Sequence, residues 1–234
     1  MKFSLVILCS LISWFSFISG QAFAGDPKSG GWYLAAAGGW DHIHNGDTSS
    51  SATIAGVLVT ANGSTSFNDG GVALAAVGKS FGPLRSELEI GIRENDIESI
   101  RLDNVTLLGI TIPLNTNTSA TGSARTTSVM ANVAYDLPTK GRFTPFLIGG
   151  LGLAVHTLDI DSIDGTASTF EEDDTVIAYQ LGAGVSTSLT DNASVNMQYR
   201  YFGSQNAKHN DNTELVTMNH VSHSVLIGIK FDFN

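Results

Sequence analysis

The feature that most constrains this chain is a period-two alternation of apolar and polar residues, which recurs in stretches of about ten residues. In the clearest stretch, 194–202, the odd-numbered residues are apolar or aromatic, and the even-numbered residues up to Arg200 are polar. This length is that of a tilted β-strand that crosses a membrane. The pattern therefore predicts strands with one apolar and one polar face.

Eight stretches of the chain show this alternation or a glycine-rich version of it. They are 31–41, 71–81, 84–94, 127–136, 143–156, 176–189, 194–202 and 224–233. Glycine weakens a flat strand, but in a small barrel it allows a sharp bend and leaves room for inward side chains. An even number of strands suits a closed antiparallel barrel.

The connections between these stretches alternate between short and long. The short ones are 82–83, 137–142 and 190–192. The long polar ones are 42–70, 95–126, 157–175 and 203–223. Outer-membrane barrels have short periplasmic turns and longer extracellular loops. The sequence therefore predicts an all-β fold: an eight-stranded antiparallel up-and-down transmembrane β-barrel with short periplasmic turns and four long extracellular loops.

Alternation alone does not say which face points inward, because a soluble ligand-binding barrel of the lipocalin kind also alternates. Lipid outside is favoured by the polar face of 84–94, which carries charges of both signs that can pair in a narrow interior. Aromatic residues near the strand ends suit the membrane interfaces. The polar network predicted to fill the interior comprises Arg85, Glu87, Glu89, Arg93, Asn132, Gln180, Asn196, Gln198, Arg200, Lys230 and Asp232.

The N-terminal residues have the pattern of an export signal. Lys2 is followed by an apolar stretch over 3–18 and by Ala22-Phe23-Ala24, where small residues stand at the positions that a signal peptidase recognises. We expect residues 1–24 to be a signal peptide and 25–234 to be the barrel domain. An uncleaved membrane anchor is the alternative, but no basic stop-transfer cluster follows. Cleavage removes Cys9, the only cysteine, so no disulfide or thiolate metal site is expected.

Charge and hydrophobicity exclude two classes of function. The formal net charge of −10 argues against a nucleic acid partner, since phosphate binding requires basic patches. After the signal, no apolar run approaches the roughly 20 residues that a spanning helix needs. A membrane role therefore depends on strands.

Several groups of side chains have residue types that occur in metal sites or catalytic sites. His42 and His44 form a His-x-His pair beside Asp41 and Asp47, a spacing that can bind zinc or copper, but a solvated loop pair is the simpler interpretation. His209, His220 and His223 are likewise interpreted as solvated loop residues. The acidic run 171–174 is interpreted as a solvated loop tip, with weak divalent-cation binding as the alternative. His156 lies near Ser and Asp residues, but the nucleophile motif Gly-x-Ser-x-Gly does not occur. We expect no catalytic residues, no metal site and no cofactor.

Short motifs in the strands resemble a known family. Residues 228–233 (Gly-Ile-Lys-Phe-Asp-Phe) are similar to the C-terminal assembly signal of outer-membrane β-barrels. Residues 143–152, with Thr-Pro-Phe followed by spaced glycines, and the stretches 180–184 and 195–201 resemble later strands of the same family. That family includes OmpA-like transmembrane domains, opacity-type surface antigens and other small porin-like barrels. The resemblance implies that Gly228, Phe231 and Phe233 form an assembly signal.

The resemblance also implies a location in the outer membrane of a Gram-negative cell and a structural or surface-interaction role, as an adhesin or surface antigen. A narrow ion-conducting pore is the alternative; an outer-membrane enzyme or a soluble periplasmic ligand-binding barrel is further removed. The expected partners are outer-membrane lipid, the barrel-assembly machinery, and an unidentified extracellular ligand or host surface. We expect no nucleic acid partner and a monomer.

Overall fold

The computed structural model describes residues 31–44, 46–54, 57–163, 166–204, 214–218 and 221–233. The predicted signal peptide lies outside these residues. Within them the regular elements are all strands. No helix in the described ranges is long and apolar enough to cross a membrane.

The described residues form an eleven-stranded antiparallel sheet. The strands are β1 (Trp32–Ile43), β2 (Gly46–Ile54), β3 (Val57–Phe67), β4 (Gly70–Phe81), β5 (Leu84–Leu107), β6 (Ile110–Asp136), β7 (Phe143–Ile163), β8 (Thr166–Ser188), β9 (Ala193–Ser204), β10 (Glu214–Met218) and β11 (Val221–Phe233).

Eight of these strands close a ring in the order β5, β4, β1, β11, β9, β8, β7, β6, with β6 pairing back to β5. The ring closes through β1 and β11, where Trp32 lies opposite Phe233 and Ile43 lies opposite Ser222. These are the eight predicted stretches, each lengthened at one or both ends. The predicted eight-stranded antiparallel barrel is therefore confirmed.

The two faces of the ring differ as a membrane barrel requires. In β5, Ile90 is 56% exposed on the outside, whereas the neighbouring Glu89 is 2% exposed. Outward leucine, isoleucine and aromatic side chains are likewise exposed on the other strands of the ring, while most buried polar residues lie on the inward face. This arrangement is the reverse of a soluble barrel, which places its apolar face inside.

The long connections are built differently from the polar loops that the sequence predicts. In 95–126, β5 continues outward to Leu107 and β6 returns from Ile110; in 157–175, β7 and β8 extend in the same way. The stretch 42–70 forms the hairpin β2–β3, and β3 pairs with the outer half of β5. Sequence periodicity missed these strands because threonine, serine and asparagine occupy many of their positions, so their two faces differ little in polarity.

The hairpin β2–β3 and the outer parts of β5 and β6 form a sheet, here called the outer sheet, that projects well beyond the membrane. β5 has 24 residues and β6 has 27, whereas a tilted strand crosses a bilayer with roughly 9–11 residues. Only part of the fourth connection, 203–223, is described, and its strand β10 pairs with β2. In the described residues β7 accompanies β6 over Ala120–Asp136, so the outer segment Ile110–Ser119 forms a free edge.

Candidate functional site

The barrel interior contains three groups of polar side chains, and the first lies near the short turns. Arg85 and Glu87 occupy successive inward positions of β5 and form an ion pair of 2.9 Å. Arg85 also binds the carboxylate of Asp136, at the end of β6, with a closest distance of 2.9 Å. The hydroxyl of Tyr33 donates to Glu87 Oε1 at 2.7 Å. This group links β1, β5 and β6 at the periplasmic end.

The second group crosses the middle of the interior. Glu89 Oε2 lies 3.3 Å from Arg200 Nη2. Gln180 Nε2 donates to Glu89 Oε1 at 2.8 Å and to Asn132 Oδ1 at 2.7 Å. Arg200 Nε donates to Gln198 Oε1 at 3.1 Å. Strands β5, β6, β8 and β9 are thereby joined through side chains that are all buried.

The third group lies in the extracellular half and is less well paired. Arg93 is 1% exposed, and its Nε lies 3.8 Å from Asp41 Oδ1. Its guanidinium carbon is 4.1 Å from the ring centre of Phe202, a cation–π distance. Ser224 donates to Asp41 at 2.5 Å. Among the described residues, Arg93 Nε and Nη2 and Asp41 Oδ2 have no hydrogen-bond partner.

A cavity of about 180 Å³ occupies the periplasmic half of the interior. Its lining includes Arg85, Asn196, Arg200 and the ion pair between Lys230 and Asp232, which measures 2.8 Å. Turn residues also line it, so it opens at the periplasmic end. Asn196, Lys230 and Asp232 are accordingly half-buried, whereas the other members of the predicted polar network are buried.

Apolar side chains fill the space around the third polar group in the extracellular half. Met130 and Phe202 are fully buried in one cluster, and Leu226 is fully buried in another with Leu74. The interior therefore changes from a polar cavity to a packed core along the barrel axis.

The polar network predicted from the sequence did not include five residues of these groups: Tyr33, Asp41, Asp136, Phe202 and Ser224. Asp136 was visible on the polar face of its stretch, and Tyr33 and Asp41 share the odd-numbered inward face of β1. Phe202 shares the even-numbered face of Gln198 and Arg200, but an aromatic residue at a strand end suggests a membrane interface, so its inward position was missed.

The residues of the resembled assembly signal lie in β11. Phe231 and Phe233 are exposed on the outer face, and Gly228 is buried between β1 and β9. A Cβ on Gly228 would lie 2.9 Å from Asn196 Oδ1. Their role in assembly stays a prediction.

The outer tip of the β5–β6 hairpin is apolar. Leu108 and Gly109 form its two-residue turn, with φ values of 52° and 77°, as in the type I′ turns of tight hairpins. Leu108 is 72% exposed, and Ile110 and Ile112 are also exposed. Residues 104–124 contain no charged side chain.

The sheet behind this tip has one apolar face. Val59 of β3, Leu107 of β5 and Ile110 of β6 are paired across the three strands, and Ala61, Val105 and Ile112 form the next row. The intervening row consists of Thr60, Thr106 and Thr111, which point to the opposite face. We call the set Val59, Ala61, Val105, Leu107, Leu108, Ile110 and Ile112 the apolar tip.

The histidines have different surroundings. His42 of β1 lies directly opposite His223 of β11, and His44 follows two residues after His42. His156 forms hydrogen bonds with Thr126 at 2.8 Å and Ser204 at 3.0 Å. His209 and His220, and the side chains of the acidic run 171–174, lie outside the described part. Within that part, no three His, Cys, Asp or Glu side chains are grouped so as to hold a metal ion.

Comparisons with known proteins agree with this architecture. Putative adhesin RP828 of Rickettsia prowazekii (strain Madrid E) is 27% identical over 122 residues, which cover 50% of this chain and 54% of that protein. The chain thus aligns with about half of the length of this relative.

Among solved structures, Neisserial surface protein A is similar with a TM-score of 0.51 at 17% identity, covering 86% of this chain and 97% of that one. The outer membrane protease OmpT from Escherichia coli gives a TM-score of 0.47 at 11% identity, with 92% and 99% covered. The likeness to the neisserial protein shows a shared fold. The sequence model of one protein family, the outer membrane protein beta-barrel domain, matches residues 10–231. The chain therefore belongs to that family and is a protein of the cell outer membrane.

Proposed function

We propose that this barrel is a surface-interaction protein, similar to an adhesin, that binds a host surface through the apolar tip. The observation that carries the proposal is the exposed, uncharged end of the β5–β6 hairpin, held away from the membrane by the long outer strands. Soluble surfaces seldom expose contiguous apolar patches unless they contact a partner. The weak similarity to a rickettsial adhesin supports the same role.

The charge distribution of the outer sheet also supports this proposal. Arg125 and Glu94 are paired at 3.1 Å near the base of the sheet, and Arg101 and Asp103 are paired at 2.8 Å farther out. Beyond Asp103 the hairpin is neutral. A partner therefore contacts apolar area without having to desolvate a charge, as in the charge-depleted core of protein–protein interfaces.

The Leu108-Gly109 turn makes the end of the β5–β6 hairpin rigid. Leu108 adopts a positive φ, which is uncommon for a residue other than glycine and costs conformational energy. A two-residue turn of this type holds the strands in register. The apolar side chains are thus presented in a fixed arrangement, which lowers the entropy lost on binding.

Adhesion measurements test the proposal. Bacteria displaying the wild-type barrel should adhere to cultured epithelial cells, and the double variant Leu108→Ser/Ile110→Ser should adhere at least about tenfold less, because each barrel loses two apolar contacts. The matched control is Thr106→Ser/Thr111→Ser, which changes the same hairpin on its opposite face. Equal adhesion by the wild type and the Leu108/Ile110 variant, at equal surface levels, contradicts the proposal.

A narrow ion-conducting pore is the second candidate, favoured by the charged cavity that opens toward the periplasm. The buried Glu89–Arg200 group and the apolar layer beyond it lie across the route. Single-channel steps in planar bilayers that Arg200→Ala abolishes would support the pore. A silent bilayer supports an interior that serves as a structural plug.

The proposal also assigns roles to the barrel interior, to the C-terminal strand and to the surrounding lipid. The predicted polar network stabilises the closed barrel, and the outward Phe231 and Phe233 serve as the signal read by the barrel-assembly machinery. Outer-membrane lipid surrounds the ring, which closes within one chain and needs no second copy. The proposed role is non-catalytic, as predicted from the sequence.

A further inference from the structure

Two histidines face each other on the outside of the barrel, at its extracellular rim. His42 is the direct cross-strand partner of His223. Even-numbered residues of β1 point outward, and the side chain of His42 is 59% exposed. Side chains directly opposite in an antiparallel pair have Cβ atoms about 4.5–5.5 Å apart. Two imidazole rings at this separation can reach one metal ion.

Each ring is also oriented by a hydrogen bond at its Nδ1 atom. His42 Nδ1 lies 2.7 Å from Asp69 Oδ1, and His223 Nδ1 lies 2.5 Å from the hydroxyl oxygen of Tyr199. When Nδ1–H donates in both contacts, the lone pair of each Nε2 is available. Histidines that bind metals characteristically donate their other ring N–H to a carboxylate or another oxygen in this way.

We propose that His42 and His223 form a two-histidine site for a divalent transition metal, with Asp69 and Tyr199 as positioning residues. Neutral imidazole suits Zn²⁺, Cu²⁺ and Ni²⁺, and among these Cu²⁺ binds most tightly to a given set of nitrogen ligands. Because no third His, Cys, Asp or Glu of the described residues is grouped with the pair, water completes the coordination. The site is independent of the adhesion proposed above.

The cross-strand pair differs from the His-x-His pair visible in the sequence. His44 lies two residues beyond His42, and its backbone N–H donates to Val221 O at 2.9 Å. Two residues along a strand are separated by about 7 Å, which is more than the separation across strands. Among the described residues, His44 has no Nδ1 contact comparable to that of His42 with Asp69. The register therefore favours His223 over His44 as the second ligand.

Electron paramagnetic resonance of the full-length barrel tests the site. The protein is purified in detergent micelles without a histidine tag and titrated with Cu²⁺ alone. We expect one bound equivalent whose spectrum shows two imidazole nitrogens, and only a large excess of Zn²⁺ should displace it. His42→Ala and His223→Ala should each remove the two-nitrogen signal and lower the affinity at least about tenfold.

The positioning role has a separate readout. Asp69→Asn should lower the affinity by about 10–100-fold while the number of coordinated nitrogens stays at two. A lost nitrogen in Asp69→Asn, or an unchanged affinity, contradicts the role given to Asp69. The mobility shift of each variant on boiling, measured by gel electrophoresis, shows whether its barrel is folded.

Two controls separate the possible sources of copper binding. His44→Ala should keep both nitrogens, as should the double variant His209→Ala/His220→Ala in the fourth connection. Loss of the signal in His44→Ala assigns the metal to the His-x-His pair and overturns the proposal. Persistence of the signal in His223→Ala, or failure of the wild type to bind one equivalent, overturns it as well.

Discussion

Arg85 and Arg93 lie on the same inward face of β5 but have different surroundings. Arg85 forms close ion pairs with Glu87 and Asp136 beside a cavity. Arg93 packs against Phe202 in the filled half and is 3.8 Å from Asp41, with two nitrogen atoms that have no hydrogen-bond partner among the described residues. From this comparison we expect water access, as well as the charged residue itself, to determine how much stability is lost when each arginine is removed.

The largest effect is expected at Arg93. Arg93→Met leaves the carboxylate of Asp41 without its cation in a packed interior, and removal of one partner of a buried ion pair typically costs about 3–5 kcal/mol. Urea unfolding of the refolded barrel in lipid vesicles measures the change. The double variant Arg93→Met/Asp41→Asn should recover most of the loss. A double variant as unstable as the single one contradicts the pairing of the two residues.

A smaller effect is expected at Arg85, although its ion pairs are shorter. In Arg85→Met, water from the cavity can hydrate Glu87 and Asp136, so the free energy of unfolding should fall by about 1–3 kcal/mol. The same urea experiment gives both values. If Arg85→Met is the more damaging variant, direct pairing outweighs hydration and the explanation by water access is wrong.

The last comparison is between two glycines: substitution of one should cost about as much as Arg85→Met, and substitution of the other should have the smallest effect. A Cβ on Gly182 would lie 2.6 Å from Arg200 Cδ and 2.7 Å from the Tyr199 carbonyl oxygen. Gly182→Ala should therefore cost about 1–3 kcal/mol through overpacking. Gly71→Ala is the matched control, because its Cβ would meet no atom within 4 Å, and it should stay within about 0.5 kcal/mol of wild type. Equal values would mean that the interior yields more readily than the contacts suggest.

The alternation of residues predicted the eight strands of the ring and the ends that meet short turns, such as Leu84 and Phe143. This worked because lipid outside and charge inside impose opposite chemistry on successive residues. The same period assigned Glu89 and Arg200 to polar faces. It could not pair them, since the strands that bear them are not neighbours and local pattern contains no information on contacts across the interior.

The outer sheet and the histidine pair were beyond sequence reasoning for a related reason. Strands rich in threonine, serine and other small residues, such as β3, differ little in polarity between their two faces, so the sequence pattern predicts loops there. His42 and His223 are 181 positions apart, and only the closure of β1 on β11 brings them together. Long-range register therefore decides features that composition and spacing leave open.

In the part of the chain that the structure describes, Ile110–Ser119 of β6 is a free edge, which has a consequence wherever two barrels meet on a cell surface. An uncovered strand edge invites another chain to extend the hydrogen-bond ladder, and so to join molecules into aggregates. Pro113 supplies no N–H to such a ladder, and Asn115 has a positive φ of 49° that interrupts the extended backbone. We therefore expect these two residues to limit strand pairing between the outer sheets of neighbouring barrels.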